Sequence, residues 1–372
     1  MRLLSKSPLR VGYVPLADCA PLVIAYEKGF LKDEGLSVEL MREPGWATIR
    51  DKLVYGELEG AHALAGLAFA ISWGIGVQQR QCVSGYLFNT HGDGVTLSNE
   101  FAGDEVQLQR SMKGASEGRK IIFGIPHALS SHHFILRRWL SRVGLDPGRD
   151  VELLVLPPAL MPVGLEGGHL DGYCVGEPYN TEAVRSGYGK LVALSSELCP
   201  MHPEKAFLVS EEFAELRSAE HEGMIRAFQR AGSFCESEEG REEAARILSR
   251  REYLHCDFTL LCSSLVEGIG KSAKGIAPRH VFHDEQVNRP TDDKAEWITA
   301  QMTSSGLLDD AEVRLKVGKK NPVFRSDIFD AACKAASPTA AKVGGKKKQS
   351  TRSRRPTTRS KKAGVLKNRE HQ

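Results

Sequence analysis

Short apolar runs alternate with amphipathic stretches at nearly every step from residue 9 to residue 210, and this limits the fold of the 372-residue chain more than any other feature. Runs at 9–14, 36–40, 60–63, 81–87 and 94–97 read as strands, and 20–28, 48–55 and 64–73 read as the helices joining them. Strands joined through helices favour a mostly parallel sheet, with its functional edge at the strands' carboxyl ends. Asp18, just ahead of Ala20-Pro21, is the expected cap of the first helix. A second unit follows, with helices at 106–116, 130–143, 161–167 and 178–186 and strands at 120–125, 150–156, 171–175 and 191–194. The run at 206–210 would carry the chain back to the first unit. Residues 211–265 are nearly all helical, with Met224, Ile225, Phe228 and Phe234 on one apolar stripe, and helices are expected at 292–305, 309–317 and 326–336. The expectation is an α/β protein of two hinged lobes around a cleft, 8–95 with 206–336 and 96–205.

The net charge of +3 averages two unlike parts. From Thr339 onward twelve Lys and Arg face one acidic residue, a charge of +11 that leaves the remainder at −8. This basic tail, 337–372, is low in complexity and reads as disordered. Its composition suits non-specific contact with nucleic-acid phosphates or a solubilising extension. Residues 1–10 carry basic side chains without the apolar core of an export signal, and no run nears the ~20 apolar residues of a membrane span. This points to a cytoplasmic protein, or to a periplasmic one whose signal lies upstream of this sequence. The eight cysteines are scattered without metal-ligand spacing, so reduced thiols and no metal or cofactor are expected.

The stretch Asp171-Gly172-Tyr173-Cys174-Val175-Gly176-Glu177-Pro178-Tyr179 runs from a strand through glycine into the first turn of a helix. Free backbone N–H groups and a positive dipole end at such a turn can seat a small anion. No phosphate loop, nucleophile elbow, zinc-protease helix or dinucleotide fingerprint is present. His132-His133 follows Ser130-Ser131, but adjacent helix residues point different ways, so no catalytic triad is implied and exposed or helix-start histidines are expected. The chain reads as a binding protein rather than an enzyme.

Several blocks resemble one family in the correct order across residues 9–330. These are Asp18-Cys19-Ala20-Pro21-Leu22, Glu27-Lys28-Gly29-Phe30, Trp46-Ala47-Thr48-Ile49-Arg50, Gly60-Ala61-His62, Asn89-Thr90-His91-Gly92, Cys174-Val175-Gly176-Glu177-Pro178 and His202-Pro203-Glu204-Lys205-Ala206-Phe207. The chain resembles the nitrate- and bicarbonate-binding solute receptors. That resemblance implies the periplasmic-binding-protein type 2 fold, with the ligand between two lobes. The family includes receptors of ABC importers, which work with a permease, and cytosolic nitrate/nitrite sensors that hold an RNA-binding antiterminator. The sensor branch is the expectation here, with nitrate or nitrite as ligand. An importer receptor and a pyrimidine-precursor binding or synthesising protein on the same scaffold are the alternatives.

The resemblance implies Trp46 as an aromatic wall, Lys205 as counter-charge, Gly176 as a backbone approach and His132 as a pocket neighbour. Nitrate is planar, singly negative and only accepts hydrogen bonds, which suits one cation, several N–H donors and an aromatic wall. Asp93 departs from the pattern, because the family places an amide donor there. A carboxylate beside a buried anion is repelled. Asp93 is therefore expected to turn away or pair with Lys205 or a histidine, to be held protonated, or to face a ligand with a proton to give, such as bicarbonate.

Overall fold

The computed structural model describes residues 7–101, 105–268, 279–308 and 322–335. The expected helix at 309–317 and the basic tail at 337–372 lie outside these residues. The first half of the chain follows the expected order: β1 (Leu9–Tyr13), α1 (Ala20–Glu27), α2 (Phe30–Asp33), β2 (Val38–Arg42), α3 (Trp46–Val54), β3 (Gly60–Leu64), α4 (Ala65–Trp73), β4 (Cys82–Asn89) and β5 (Asp93–Ser98). It continues through α5 (Glu105–Gly118), β6 (Ile121–Ile125), α6 (Ser131–Arg142), β7 (Val151–Val155), α7 (Met161–Glu166), β8 (Gly172–Gly176), α8 (Tyr179–Ser186), β9 (Gly189–Leu194), α9 (Ser195–Leu198) and β10 (Lys205–Ser210). Helices α10 (Glu211–Leu216), α11 (Ser218–Phe234), α12 (Glu238–Leu248), α13 (Phe258–Cys262), α14 (Glu285–Asn288), α15 (Asp292–Ser304) and α16 (Ser326–Lys334) complete it.

Two five-stranded sheets result, ordered β2-β1-β3-β10-β4 and β7-β6-β8-β5-β9, and each is the centre of one lobe. Both sheets are mostly parallel, as expected, with four strands running one way and one against them. In the first sheet β10 runs antiparallel to both β3 and β4, and in the second β5 runs antiparallel to both β8 and β9. The cause is topological: each sheet receives one strand from the chain segment that crosses between lobes, and that strand enters against the direction of its neighbours. β5 therefore belongs to the second sheet and does not extend the first unit. The crossings lie at residues 90–92 and 199–204, slightly before the positions 95 and 205 suggested by the sequence.

Period-two alternation assigns each strand's side chains to its two faces. Phe207 and Val209 of β10 join the cluster under α1, α11 and α12, with Tyr13, Tyr86, Phe88 and Phe228. Ala206 and Leu208 face the opposite cluster, with Trp46, Leu67, Phe69 and Ile298. The second lobe is centred on Val95, Phe123, Trp139 and Leu140. Its Leu129 and Phe134 insert into the first lobe's second cluster. Trp297 of α15 packs on Phe134, with ring centroids 6.2 Å apart. Ala17 N–H donates to Glu177 O at 2.8 Å, so the cleft is closed by backbone contact as well as by apolar packing. No described helix is long and apolar enough to cross a membrane.

Candidate functional site

The two crossings lie side by side, with Thr90 Oγ1 donating to His202 O at 2.8 Å and Glu204 N–H to Asn89 O at 3.3 Å. They deliver Asp93 at the start of β5, and His202 and Glu204 just before β10, to the interface between lobes. Trp46 is the first residue of α3, and Lys205 is the first residue of β10. His132 lies in the first turn of α6, where Ser130 caps the helix by accepting from His133 N–H at 3.2 Å. Gly176 ends β8 and is the register partner of Asp93.

The five expected site residues join one buried network. Lys205 Nζ lies 5.4 Å from the Trp46 ring centroid and 2.7 Å from Asp18 Oδ2. It also pairs with Glu204 Oε1. His132 Nε2 lies 3.0 Å from Asp93 Oδ1 and 3.6 Å from Glu204 Oε1. A methyl group on Gly176 would sit 3.4 Å from Asp93 Oδ1 and 3.6 Å from His132 Nε2, so glycine keeps this wall thin. The indole Nε1 of Trp46 is buried without a hydrogen-bond partner.

Three expectations are corrected. Asp18 does not cap α1; its carboxylate is the ion partner of Lys205. His132 and His133 stand at a helix start, one of the two places expected, but are buried, at 0% and 5%, rather than exposed. The α8 N-terminus is partly taken, because Glu177's own carboxylate accepts from Thr181 N–H at 3.3 Å. Burial pushes that carboxyl up to about 7.

Asp93 faces the cleft and pairs with histidines. His202 Nε2 reaches Asp93 Oδ2 at 3.2 Å and Glu204 Oε2 at 3.2 Å, and Ser131 Oγ also donates to Glu204 Oε2. Burial pushes the Asp93 carboxyl up, but the charge of His132, the hydrogen bonds from both histidines and the charge of Lys205 prevail, holding it well below the usual range. Burial and the nearby Asp93 charge raise Glu204, yet Lys205, His132 and His202 hold it at about 2. Burial opposes charging of His202, but its two carboxylates lift it to about 10, so it is cationic at neutral pH. Burial lowers His62 and His280 to about 4 despite nearby acidic groups, and both stay neutral. Three carboxylates, those of Asp18, Asp93 and Glu204, thus face Lys205 and His202, with the His132 ring beside Asp93.

Sequence reasoning missed Asp18, Ser131, His202, Glu204 and His280. A signal existed for two of them: His202 and Glu204 are two residues apart in the approach to a strand, a spacing that puts side chains on one face. Asp18 and His280 are brought in only by the tertiary fold.

The sequence profile of the NMT1-like family matches residues 4–249. The bicarbonate transport ATP-binding protein CmpC of Synechococcus elongatus is 35% identical over 310 residues, covering 82% of this chain and 46% of its own length. The chain spans about half the length of the curated relatives first matched. The nitrate/nitrite binding protein NrtA of Synechococcus elongatus is 29% identical over 345 residues, covering 87% of this chain and 77% of its own length. The crystal structure of the periplasmic nitrate-binding protein NrtA from Synechocystis PCC 6803 superposes with a TM-score of 0.79 at 24% identity, covering 91% of each chain.

Proposed function

Because the chain belongs to the NMT1-like family and to the nitrate and bicarbonate type of solute-binding protein, we propose that it is a non-catalytic clamp closing its lobes on a small oxyanion. The observation that carries this reading is the convergence of Trp46 and Lys205 from one lobe with His132 and Gly176 from the other, all buried at the crossing strands. Lys205 supplies positive charge, Trp46 offers an unpaired N–H, and Gly176 leaves room beside the wall. Ligand bound between lobes stabilises the closed form by its differential affinity for it.

Nitrate and nitrite are the first candidates, in keeping with the NrtA relatives. A specific observation favours bicarbonate as a second reading. Asp93 and Glu204 both face the seat as carboxylates, and bicarbonate can donate its proton to one of them whereas nitrate can only accept. Calorimetric titration of nitrate, nitrite and bicarbonate into the wild-type chain and Asp93→Asn tests the proposal. Tighter nitrate binding by Asp93→Asn supports that carboxylate as the selective element, and absence of heat with all three anions refutes the oxyanion reading.

The clamp can serve a cytosolic sensor that holds an RNA-binding antiterminator, or an ABC importer, the setting suggested by the ATP-binding transport relatives. Co-purification distinguishes these. A sensor releases its regulator when the anion is added, whereas an importer receptor binds permease in reconstituted membranes.

A further inference from the structure

We propose that Trp297 is a positioning residue of the clamp, the side chain through which α15 of the first lobe fixes α6, and with it His132, over the seat. The inference rests on the oxyanion reading for its ligand assays and adds to it a residue outside the seat. Along α15, Ala295, Ile298 and Met302 face the first lobe's second cluster at helical spacing. Trp297 lies at the flank of that stripe, half-buried, and packs against the second lobe's cluster as well. Its ring meets Phe134 of α6 edge-on, with centroids 6.2 Å apart and planes at 73°, and meets His202 at 6.0 Å and 42°. One indole therefore touches its own lobe, the returning crossing and the opposite lobe.

The base of α15 is anchored to the first lobe. Lys294, three residues before Trp297, is buried, and its ammonium donates to Val287 O at 2.8 Å, to Arg289 O at 2.7 Å and to Gln286 O. α14 is tied in turn to β4, because Asn288 Nδ2 donates to Leu87 O at 2.8 Å. β4 leads into the first crossing, where Thr90 and Val281 exchange backbone hydrogen bonds at 3.2 and 3.1 Å. Rotation of the second lobe about the crossings therefore carries Phe134 against a ring that cannot follow it. Phe134 lies two residues beyond His132, whose Nε2 is 3.0 Å from Asp93 Oδ1, and Ser131 of the same turn donates to Glu204. His202 is held through Nδ1, which donates to Cys199 O at 2.7 Å, and the Trp297 ring packs beside it. The place of this indole sets where both histidines of the seat stand.

The full chain and its Trp297→Ala, Trp297→Phe and Phe134→Leu variants are titrated with nitrate, nitrite and bicarbonate by calorimetry. The tightest-binding anion is then followed by stopped-flow tryptophan fluorescence. Trp297→Ala should weaken that anion by about 2- to 12-fold, the worth of one aromatic pair. The loss should lie in a faster off-rate with the on-rate unchanged, because the open form makes the encounter. Trp297→Phe keeps a ring against Phe134 and should bind within about twofold of wild type. Phe134→Leu should also weaken binding and add little to Trp297→Ala, since both variants remove one contact. Met224→Ala, in the first lobe's other cluster, is the control and should lower the melting temperature with affinity unchanged. A Trp297→Ala chain that behaves like this control overturns the proposal, as does full additivity with Phe134→Leu. If Trp297→Ala does not fold by circular dichroism, Trp297→Leu takes its place with the same expectations. If wild type binds none of the three anions, the oxyanion reading fails and hydrogen exchange without anion tests the contact alone. The amides of Ser131–Arg142 should then exchange faster in Trp297→Ala than in wild type while those of Leu9–Tyr13 are unchanged, and equal rates overturn the proposal.

Discussion

Gly66→Ala should hold the clamp open without damaging either lobe's fold. Gly66 lies in the first turn of α4 on the first lobe, and a Cβ there would lie 2.2 Å from Leu129 O on the second. Ordinary contact begins near 3.4 Å, so the two backbones must part by about 1.2 Å. No side-chain rotation relieves this, because one atom is Cβ and the other a carbonyl oxygen. The Leu129 loop is also braced: Leu129 N–H donates to His127 Nδ1 at 3.1 Å, and Ser130 Oγ to His127 O at 2.7 Å. Parting of the lobes is therefore the easier response. Overpacking of this kind costs about 1–3 kcal/mol, here charged against the closed form. At 1.4 kcal/mol per tenfold, affinity for the tightest-binding anion should fall by about 5- to 150-fold. Calorimetry reads the affinity, and small-angle scattering should show a larger radius of gyration. Gly114→Ala is the control, since a methyl group there meets nothing within 4 Å. Wild-type affinity and an unchanged scattering curve in Gly66→Ala would refute closure through this contact.

Three other perturbations test the framework around the seat. Burial lowers His221, packed between Phe207 and Phe213, to about 4. The unfolded chain then binds more protons between pH 4 and 6.5, and stability present above 6.5 is lost as pH falls; His221→Phe should remove up to about 2 kcal/mol of this loss in urea melts at pH 7 and 4.5. An unchanged pH dependence would exclude His221 as a contributor. Lys205→Met leaves Asp18 and Glu204 without their shared cation and should cost about 3–5 kcal/mol in chemical denaturation; Asp18→Asn in the same chain should recover part of it. Gly92→Ala puts a methyl group 2.0 Å from His280 Nε2 at φ +90, so it should lower the melting temperature more than Gly114→Ala. Equal melting temperatures would exclude that close approach.

Element order was legible because strand and helix periods differ and glycine marks the boundaries, as at Gly144, whose φ is +80 just after α6. Strand direction was less legible. Alternation reports what separates consecutive strands, but β10 pairs with β3 and β4 from more than a hundred residues away. Its run, Lys205–Ser210, has the same alternating character whichever way it enters. Direction was set by the return crossing, a tertiary constraint.

The site shows the same division between local and tertiary information. Trp46, Gly176 and Lys205 lie in blocks that resemble the family's, and His132 lies near a helix start, so all four were candidates before their surroundings were known. What those blocks could not supply was the balance of charge. Lys205 invites an anionic ligand when considered alone, but Asp18 lies nearly two hundred positions earlier and still holds its ammonium at 2.7 Å. Glu204, the adjacent residue, binds the same ammonium and shares His202 with Asp93. The lysine's charge is thus partly committed before any ligand arrives. An incoming oxyanion must exchange partners with these carboxylates or bring a proton to them. Selectivity therefore resides in the acidic side chains around Lys205 as much as in Lys205 itself.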